Sequence, residues 1–200
     1  MSAVSSFDPD RLPAGLPRPS DDGAARHLPG TVMPAMALPS TDGGPFAVNK
    51  IPDGFDRLII YAYPKTGRPG VDPPAEWDEI PGARGCTPES CGFRDHAADL
   101  ADLGAAVAGL SAQDTEYQRE AAERLRLPFP LLSDADGRLA EALNLPVFTA
   151  WGGRLLKRLT LVIRAGADGA AAIEHVCYPV FPPDRHAAEV LSWLTTKGDT

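Results

Sequence analysis

The sequence predicts an α/β fold in which helices flank a central mixed β-sheet. From residue 58 onward, short apolar runs alternate with segments of helical spacing, which indicates parallel strands joined by helices. Two apolar runs near the C-terminus follow each other without a helix, which indicates an antiparallel pair. A chain of 200 residues also buries enough surface to fold as one domain without metal or disulfide crosslinks.

The first part of the chain contains an arm, a hairpin and a buried strand. Residues 1–27 are polar, rich in proline and without periodicity, which predicts a flexible arm in front of a domain at 28–200. Thr-Asp-Gly-Gly at 41–44 lies between two short apolar runs and predicts a β-hairpin. Residues 58–63 form a nearly continuous apolar run, as expected for a strand buried on both faces.

An unusually long loop and a helix come next. Residues 64–86 contain five prolines, and a loop of this length in a compact domain is usually functional or mobile. Trp77 within it is either a lid or a packing residue, and we favour packing. Apolar residues at near-helical spacing across 93–103 predict a helix.

The remaining elements continue the alternation. A capping box at 115–118 opens a helix, and Asp184 is predicted to cap the last helix, which buries Val190 and Leu194. The other predicted elements are strands at 105–110 and 129–132, a short helix around 139–143, and antiparallel strands at 159–163 and 172–178.

The charge balance limits the classes of partner. The chain has 19 Lys and Arg against 27 Asp and Glu, a formal net charge of −8. An acidic surface repels phosphate and anionic lipid, so we expect neither nucleic acid nor membrane binding. No apolar run approaches the roughly 20 residues that span a bilayer, and the N-terminus lacks the pattern of a secretory signal. The low count of three cysteines favours a reducing cytoplasm.

Two of the cysteines carry the strongest chemical signal. Cys86 lies where the long loop gives way to a helix, and backbone N–H groups and the helix dipole favour a thiolate there. Cα atoms five residues apart on an ideal helix are about 8.6 Å apart, whereas a disulfide needs roughly 4.4–6.8 Å. Cys86 and Cys91 therefore join only if the helix start unwinds, or they already touch if the helix begins at Pro88. Both arrangements suit a thiol that reacts and is then captured by its neighbour.

The other readings of the cysteines are weaker. A Cys-x4-Cys spacing lacks a second pair of ligands, and the four histidines are scattered, so no zinc site is expected. Cys177 falls in a predicted strand and is interpreted as a structural residue.

Four motifs occur in order along the chain: Tyr-Pro-Lys at 63–65, Gly-Cys-Thr-Pro-Glu-Ser-Cys-Gly-Phe-Arg-Asp at 85–95, Leu-Pro-Phe-Pro-Leu-Leu-Ser-Asp at 127–134, and Lys-Arg-Leu-Thr-Leu at 157–161. Together they resemble the peroxiredoxins, and most of all the Q-type, bacterioferritin-comigratory branch of that family. The resemblance implies a thioredoxin-like fold, reduction of peroxides without a cofactor, and a homodimer as a possible assembly.

The resemblance also implies roles for individual residues. Cys86 matches the peroxidatic nucleophile and Cys91 the resolving thiol, which pair in a Cys86–Cys91 disulfide. Arg158 matches the guanidinium beside the thiolate, and Glu89 matches a carboxylate that orients it. A fixed cation lowers a thiol pKa and donates to the peroxide oxygens as charge moves onto the leaving one.

One region departs from the family pattern. The family compresses it to Pro-x-x-x-Thr/Ser-x-x-Cys, whereas 21 residues separate Pro64 from Cys86 here. If the extra segment lies directly before Gly85, Arg68 occupies the position of the family's hydroxyl residue. Alternatively, Thr66 folds back to supply the hydroxyl.

These observations lead to one hypothesis and two alternatives. The hypothesis is a thiol-dependent peroxidase that reduces hydrogen peroxide or organic hydroperoxides and is recycled by thioredoxin or a glutaredoxin-like protein. A thioredoxin-like disulfide reductase is weaker, because those proteins use Cys-x-x-Cys. A non-catalytic redox sensor or chaperone-like protein is the alternative from another class, and the altered pocket region is the reason to keep it.

Overall fold

The structure has the predicted α/β class and a central mixed sheet. The computed structural model describes residues 8–150, 152–166 and 169–198. Its strands are β1 Ala37–Pro39, β2 Pro45–Ala47, β3 Arg57–Ala62, β4 Ala105–Ser111, β5 Leu131–Ser133, β6 Val147–Ala150, β7 Gly153–Leu156, β8 Leu159–Ala165 and β9 Ala171–Cys177. Its helices are α1 Cys86–Asp95, α2 Ala97–Asp102, α3 Thr115–Leu125, α4 Arg138–Ala142 and α5 His186–Gly198.

The central sheet has the strand order β5-β4-β3-β8-β9 among the described residues. Strand β3 pairs in parallel with β4 and antiparallel with β8, which in turn pairs antiparallel with β9. The register places Ala62, at the end of β3, opposite Leu159, at the start of β8. The residues that follow β3 and the residue that precedes β8 are therefore neighbours, although they are far apart in the sequence.

Two apolar layers cover the sheet, one on each face. Because side chains alternate along a strand, Leu58 and Ile60 of β3 join one cluster and Ile59 and Tyr61 join the other. The first cluster includes side chains of the β1–β2 hairpin and α4, and the second includes side chains of α1, α2, α3 and α5. Strand β3 is buried on both faces, as its continuous apolar run predicts.

The start of two helices differs from the sequence prediction. The single helix expected over 93–103 is two helices, because His96 leaves helical geometry between α1 and α2, at φ −101° and ψ 8°. The helix α3 is capped by Asp114, whose carboxylate accepts a hydrogen bond from the Tyr117 N–H at 2.7 Å. The predicted capping box at 115–118 is therefore displaced by one residue, since the carboxylate is the stronger acceptor for the free N–H groups.

The predicted cap at Asp184 is wrong. Asp184 lies inside a short 3-10 turn, Pro183–Arg185, which leads into α5 and has no side-chain cap. Proline presets the dihedral angle of a first helical residue and has no N–H to satisfy, so Pro183 starts the turn without a side-chain cap.

None of the described helices is both long and apolar enough to cross a bilayer.

A second hairpin, formed by β6 and β7, is absent from the sequence prediction. The two strands pair antiparallel from Val147 opposite Leu156 to Ala150 opposite Gly153. Most of their side chains are partly buried, and no clear alternation of buried and exposed residues marks them. A period of two is the signal that identifies such strands in a sequence, and it is missing here.

The long loop and the arm both pack on the domain. Trp77 begins a 3-10 turn within the loop and is only 5% exposed, as the packing interpretation predicts. Within the arm, Ala25 is buried, and the Asp22 carboxylate contacts Lys157 and Tyr178. Residues 1–7 of the arm lie outside the described residues. The flexibility of the arm and its boundary at residue 27 stay predictions.

Gly109 in β4 gives a test of how closely this core is packed. A Cβ at Gly109 would lie 2.5 Å from Leu131 Cδ2 and 2.8 Å from Tyr61 Oη. We expect Gly109→Ala to lower the free energy of unfolding by about 1–3 kcal/mol, because the added methyl overpacks the core. Chemical denaturation measures the change. Gly44→Ala is the control, since a Cβ there meets nothing within 4 Å, and equal stability of both variants would contradict the close packing.

Candidate active site

Cys86 is the first residue of α1 and is only 3% exposed. Gly85 before it has a φ of 104°, in the left-handed region that glycine adopts without strain. A Cβ at Gly85 would also lie 2.4 Å from Pro183 Cγ and 2.9 Å from Leu12 Cδ1. Conformation and space both require glycine there, and this turn places Cys86 at the first position of α1, where the helix dipole favours negative charge.

Arg158 immediately precedes β8, and the pairing of β8 with β3 carries it to Cys86. Its Nη2 donates to Cys86 Sγ at 3.2 Å and to the main-chain carbonyls of Ala83 and Arg84, each at 3.3 Å. Its Nη1 donates to Glu89 Oε2, and both side chains of this ion pair are buried. Three predicted site residues, Cys86, Glu89 and Arg158, are thus in direct contact.

Burial and charge act on Cys86 in opposite directions. Burial raises the pKa of the Cys86 thiol above its ordinary value, whereas the Arg158 guanidinium and the Lys65 backbone N–H lower it. Burial likewise raises the pKa of Glu89 to about 7, against the opposing effect of Arg158. The thiolate expected from the helix position alone therefore meets a desolvation penalty, and its stability depends on the guanidinium.

The segment after β3 supplies a contact that the sequence analysis missed. The backbone N–H of Lys65 hydrogen-bonds the Cys86 sulfur, and Pro64 beside it is buried. The carbonyls of Ala83 and Arg84 are two further main-chain groups of the site, and they accept hydrogen bonds from the guanidinium of Arg158. A main-chain donor or acceptor exists at almost every residue, so no side-chain pattern identifies these groups in a sequence.

The two candidates for the family's hydroxyl residue lie in different places. Thr66 is fully buried, and its N–H and its hydroxyl both donate to Gln113 Oε1, at 2.8 and 3.0 Å. Arg68 instead lies over the ring of Tyr117, 4.3 Å from its centroid. The threonine hydroxyl thus directs its proton at Gln113 rather than at the sulfur of Cys86.

Cys91 lies on α1, five residues after Cys86, and is partly exposed. Burial raises its pKa, and the positive charge of Arg94 opposes that effect. All three cysteines are free thiols, and burial raises the pKa of Cys177 on β9 to about 12. Because α1 is helical from its first residue, the Cα atoms of Cys86 and Cys91 are about 8.6 Å apart by helix geometry. Of the two arrangements considered above, the structure has the one in which the helix start must unwind.

Aromatic and polar contacts hold α1 and the start of α5 on the sheet. The rings of Tyr61 and Phe93 stack with centroids 4.4 Å apart, and Tyr61 Oη donates to Ser90 Oγ at 3.1 Å. His186 Nε2 lies 2.7 Å from Thr160 Oγ1, and burial lowers the pKa of His186 to about 3, so this ring is neutral. No group of three His, Cys, Asp or Glu side chains that could hold a metal exists in the described part of the chain.

The dependence of the thiolate on Arg158 is testable by titration. We expect Arg158→Met to raise the pKa of the Cys86 thiol by at least about one pH unit, because a cation in contact with the sulfur is removed. Thiolate absorbance against pH measures it in a Cys91→Ser, Cys177→Ser background. Arg158→Lys keeps the charge and should shift the pKa less, and Arg154→Met removes an exposed guanidinium as the control. An unchanged pKa in Arg158→Met would contradict the electrostatic account.

Comparison with known proteins identifies the family. The AhpC/TSA family model matches residues 80–165. Peroxiredoxin Bcp from Escherichia coli K12 is 32% identical over 173 residues, which cover 82% of this chain and 94% of that protein. Chloroplastic peroxiredoxin Q from Oryza sativa subsp. japonica is 28% identical over 187 residues, which cover 91% of this chain and 76% of that protein. The crystal structure of peroxidoxin BcpB from Mycobacterium tuberculosis superposes with a TM-score of 0.62 at 27% sequence identity. The match covers 85% of this chain and 98% of the BcpB chain, and it confirms the predicted thioredoxin-like fold. This chain therefore belongs to the peroxiredoxins, the thiol-dependent peroxidases, in their Bcp/Q branch.

Proposed function

We propose that Cys86 is the nucleophile with which this peroxidase attacks its substrate. The thiolate attacks one oxygen of the peroxide, the O–O bond breaks, and the sulfur becomes a sulfenic acid. The other oxygen leaves with the electron pair and takes up a proton as water or an alcohol. The observation that carries the proposal is the hydrogen bond from Arg158 Nη2 to the buried Cys86 Sγ, at 3.2 Å.

Arg158 and Glu89 act on the same step. The guanidinium stabilises the thiolate, and the same N–H groups donate to the leaving oxygen as negative charge develops on it. The Glu89 carboxylate contacts Nη1 and so leaves Nη2 directed at the sulfur. Pro64 and Thr66 belong to the segment that brings the Lys65 N–H to the sulfur, and we propose that they shape the pocket rather than react.

Cys91 resolves the sulfenic acid. Its thiol attacks the oxidised sulfur, water leaves, and the Cys86–Cys91 disulfide forms. Since both residues lie on α1, this step requires the first turn of the helix to unwind, and helix ends open at low free energy. An external dithiol then reduces the disulfide, and we propose thioredoxin or a glutaredoxin-like protein for this role. The cytoplasmic location and a homodimer are also proposals, based on the low cysteine count and the family resemblance.

Cysteine variants test the assignment. We expect Cys86→Ser to abolish peroxide turnover, because no other thiol contacts Arg158 among the described residues. Cys91→Ser should lose turnover with thioredoxin but keep it with a small-molecule thiol. After one equivalent of peroxide, intact mass should fall by two hydrogens in the unmodified protein and rise by one oxygen in Cys91→Ser. Cys177→Ser is the matched control and should behave as the unmodified protein.

Two outcomes would contradict these roles. Full peroxide turnover in Cys86→Ser would contradict the assignment of Cys86 as the nucleophile. Consumption of only about one equivalent of peroxide, with reductant present, would favour the redox sensor over the enzyme.

Hydrogen exchange tests the unwinding of α1. We expect the amides of residues 86–91 to exchange faster after oxidation by one equivalent of peroxide, because the disulfide holds the first turn open. Residues 93–95 should stay protected, since Phe93 is fully buried against Tyr61. Cys91→Ser forms no disulfide and is the control. Equal protection of 86–91 in the reduced and oxidised protein would contradict the unwinding.

A further inference from the structure

A cavity of about 290 Å³ reaches the site at Pro64 and Arg158. Its walls come from three segments outside the family motifs: residues 19–22 of the arm, residues 80–82 of the long loop and residues 178–180 after β9. Proline, isoleucine, valine and phenylalanine side chains supply most of the lining. The cavity is therefore an apolar space that ends on a catalytic guanidinium.

Asp22 attaches the arm to two other residues of the cavity lining. Its carboxylate accepts hydrogen bonds from Lys157 Nζ at 2.6 Å and from Tyr178 Oη at 2.8 Å. These two contacts hold the pKa of the Asp22 carboxyl well below its usual range. Lys157 is the residue directly before Arg158, so the attachment lies beside the catalytic group. The ring of Pro19 packs closely on the long loop, since a Cβ added at Gly82 would lie 3.4 Å from Pro19 Cγ.

The preceding part of the arm is held next to Cys86. Arg84, two residues before the nucleophile, donates from Nη2 to the carbonyls of Asp8 at 2.7 Å and Arg11 at 3.0 Å. Leu12 fills the space next to Gly85, as described above. The described part of the arm therefore contacts the domain at residues 8–12 and again at Asp22, and Pro19, Ser20 and Asp22 line the cavity.

We propose that residues 19–22 form a wall of the peroxide-binding pocket, which holds the apolar substituent of an organic hydroperoxide, and that this wall determines substrate preference. The inference rests on the proposed function, because it assigns the cavity to the substrate of that reaction. An apolar protein cavity of about 150 Å³ holds benzene, so this cavity has room for a hydroperoxide with one aromatic ring. Hydrogen peroxide has no substituent to place there, and its reduction does not need the wall.

The test compares two peroxides in the full-length chain. Asp22→Ala releases the arm from Lys157 and Tyr178, and Pro19→Gly removes the ring that faces the cavity. In each variant, we expect kcat/KM for cumene hydroperoxide to fall about tenfold, the loss typical of a missing apolar contact. The value for hydrogen peroxide should change less than twofold, which also shows that the variant is folded.

Two further variants make the test specific. Asp136→Ala removes an exposed carboxylate that pairs with Arg138 at 3.4 Å, outside the cavity lining, and it should leave both kcat/KM values unchanged. In the double variant Lys157→Met, Asp22→Ala, we expect kcat/KM for cumene hydroperoxide to fall no further than in Asp22→Ala alone. The reason is that both substitutions remove the same Asp22–Lys157 contact.

The outcomes separate the two proposals. Three outcomes would contradict the proposed wall but leave the peroxidase proposal unaffected. These are equal losses of kcat/KM for both peroxides, no change for either, or a gain with cumene hydroperoxide. Failure of the unmodified protein to turn over either peroxide would instead contradict the proposed function.

Discussion

The buried guanidinium of Arg158 is the group on which the arrangement of the site depends. A charge removed from water must be paired and hydrogen-bonded, and here Glu89, the sulfur of Cys86 and the carbonyls of Ala83 and Arg84 meet that requirement. Burial is the first reason that the pKa of Cys86 stays above its ordinary value, and the nearby Glu89 carboxyl raises it further, whereas the Arg158 guanidinium lowers it.

Strand register brings this cluster together. Ala62 pairs with Leu159, so the Lys65 N–H, just beyond β3, and the Arg158 side chain, just before β8, approach the sulfur from neighbouring strands. The start of α1 supplies the sulfur between them. Displacement of β8 by one residue would turn the arginine to the other face of the sheet, away from Cys86. The apolar run of β8 thus positions the Arg158 guanidinium as well as forming the core.

The sequence predicted those parts of the molecule that have a periodic or a chemical pattern. Buried strands such as β3 and β8 have continuous apolar runs, and the contact among Cys86, Glu89 and Arg158 follows from their resemblance to the family motif. The β6–β7 hairpin escaped prediction because its side chains are neither buried together nor strictly alternating. The packing of the arm was not predicted because it depends on single residues, Asp22 and Arg84, whose partners lie far away in the sequence.

The two halves of α1 are attached to the protein by different kinds of contact. Phe93, in the second half, is fixed by aromatic stacking in the core, whereas Cys86 and Glu89, in the first turn, are held by polar contacts to Arg158. Separating Glu89 from Arg158 would leave a buried charge unpaired, at a cost of about 3–5 kcal/mol, and exposing Phe93 would lose burial worth about 1.5–3 kcal/mol. Both costs favour the smallest unwinding of α1 that lets the proposed Cys86–Cys91 disulfide form. In the proposed cycle the thiolate charge is lost when Cys86 is oxidised, and the ion pair with Glu89 is then the contact that neutralises the buried Arg158 guanidinium.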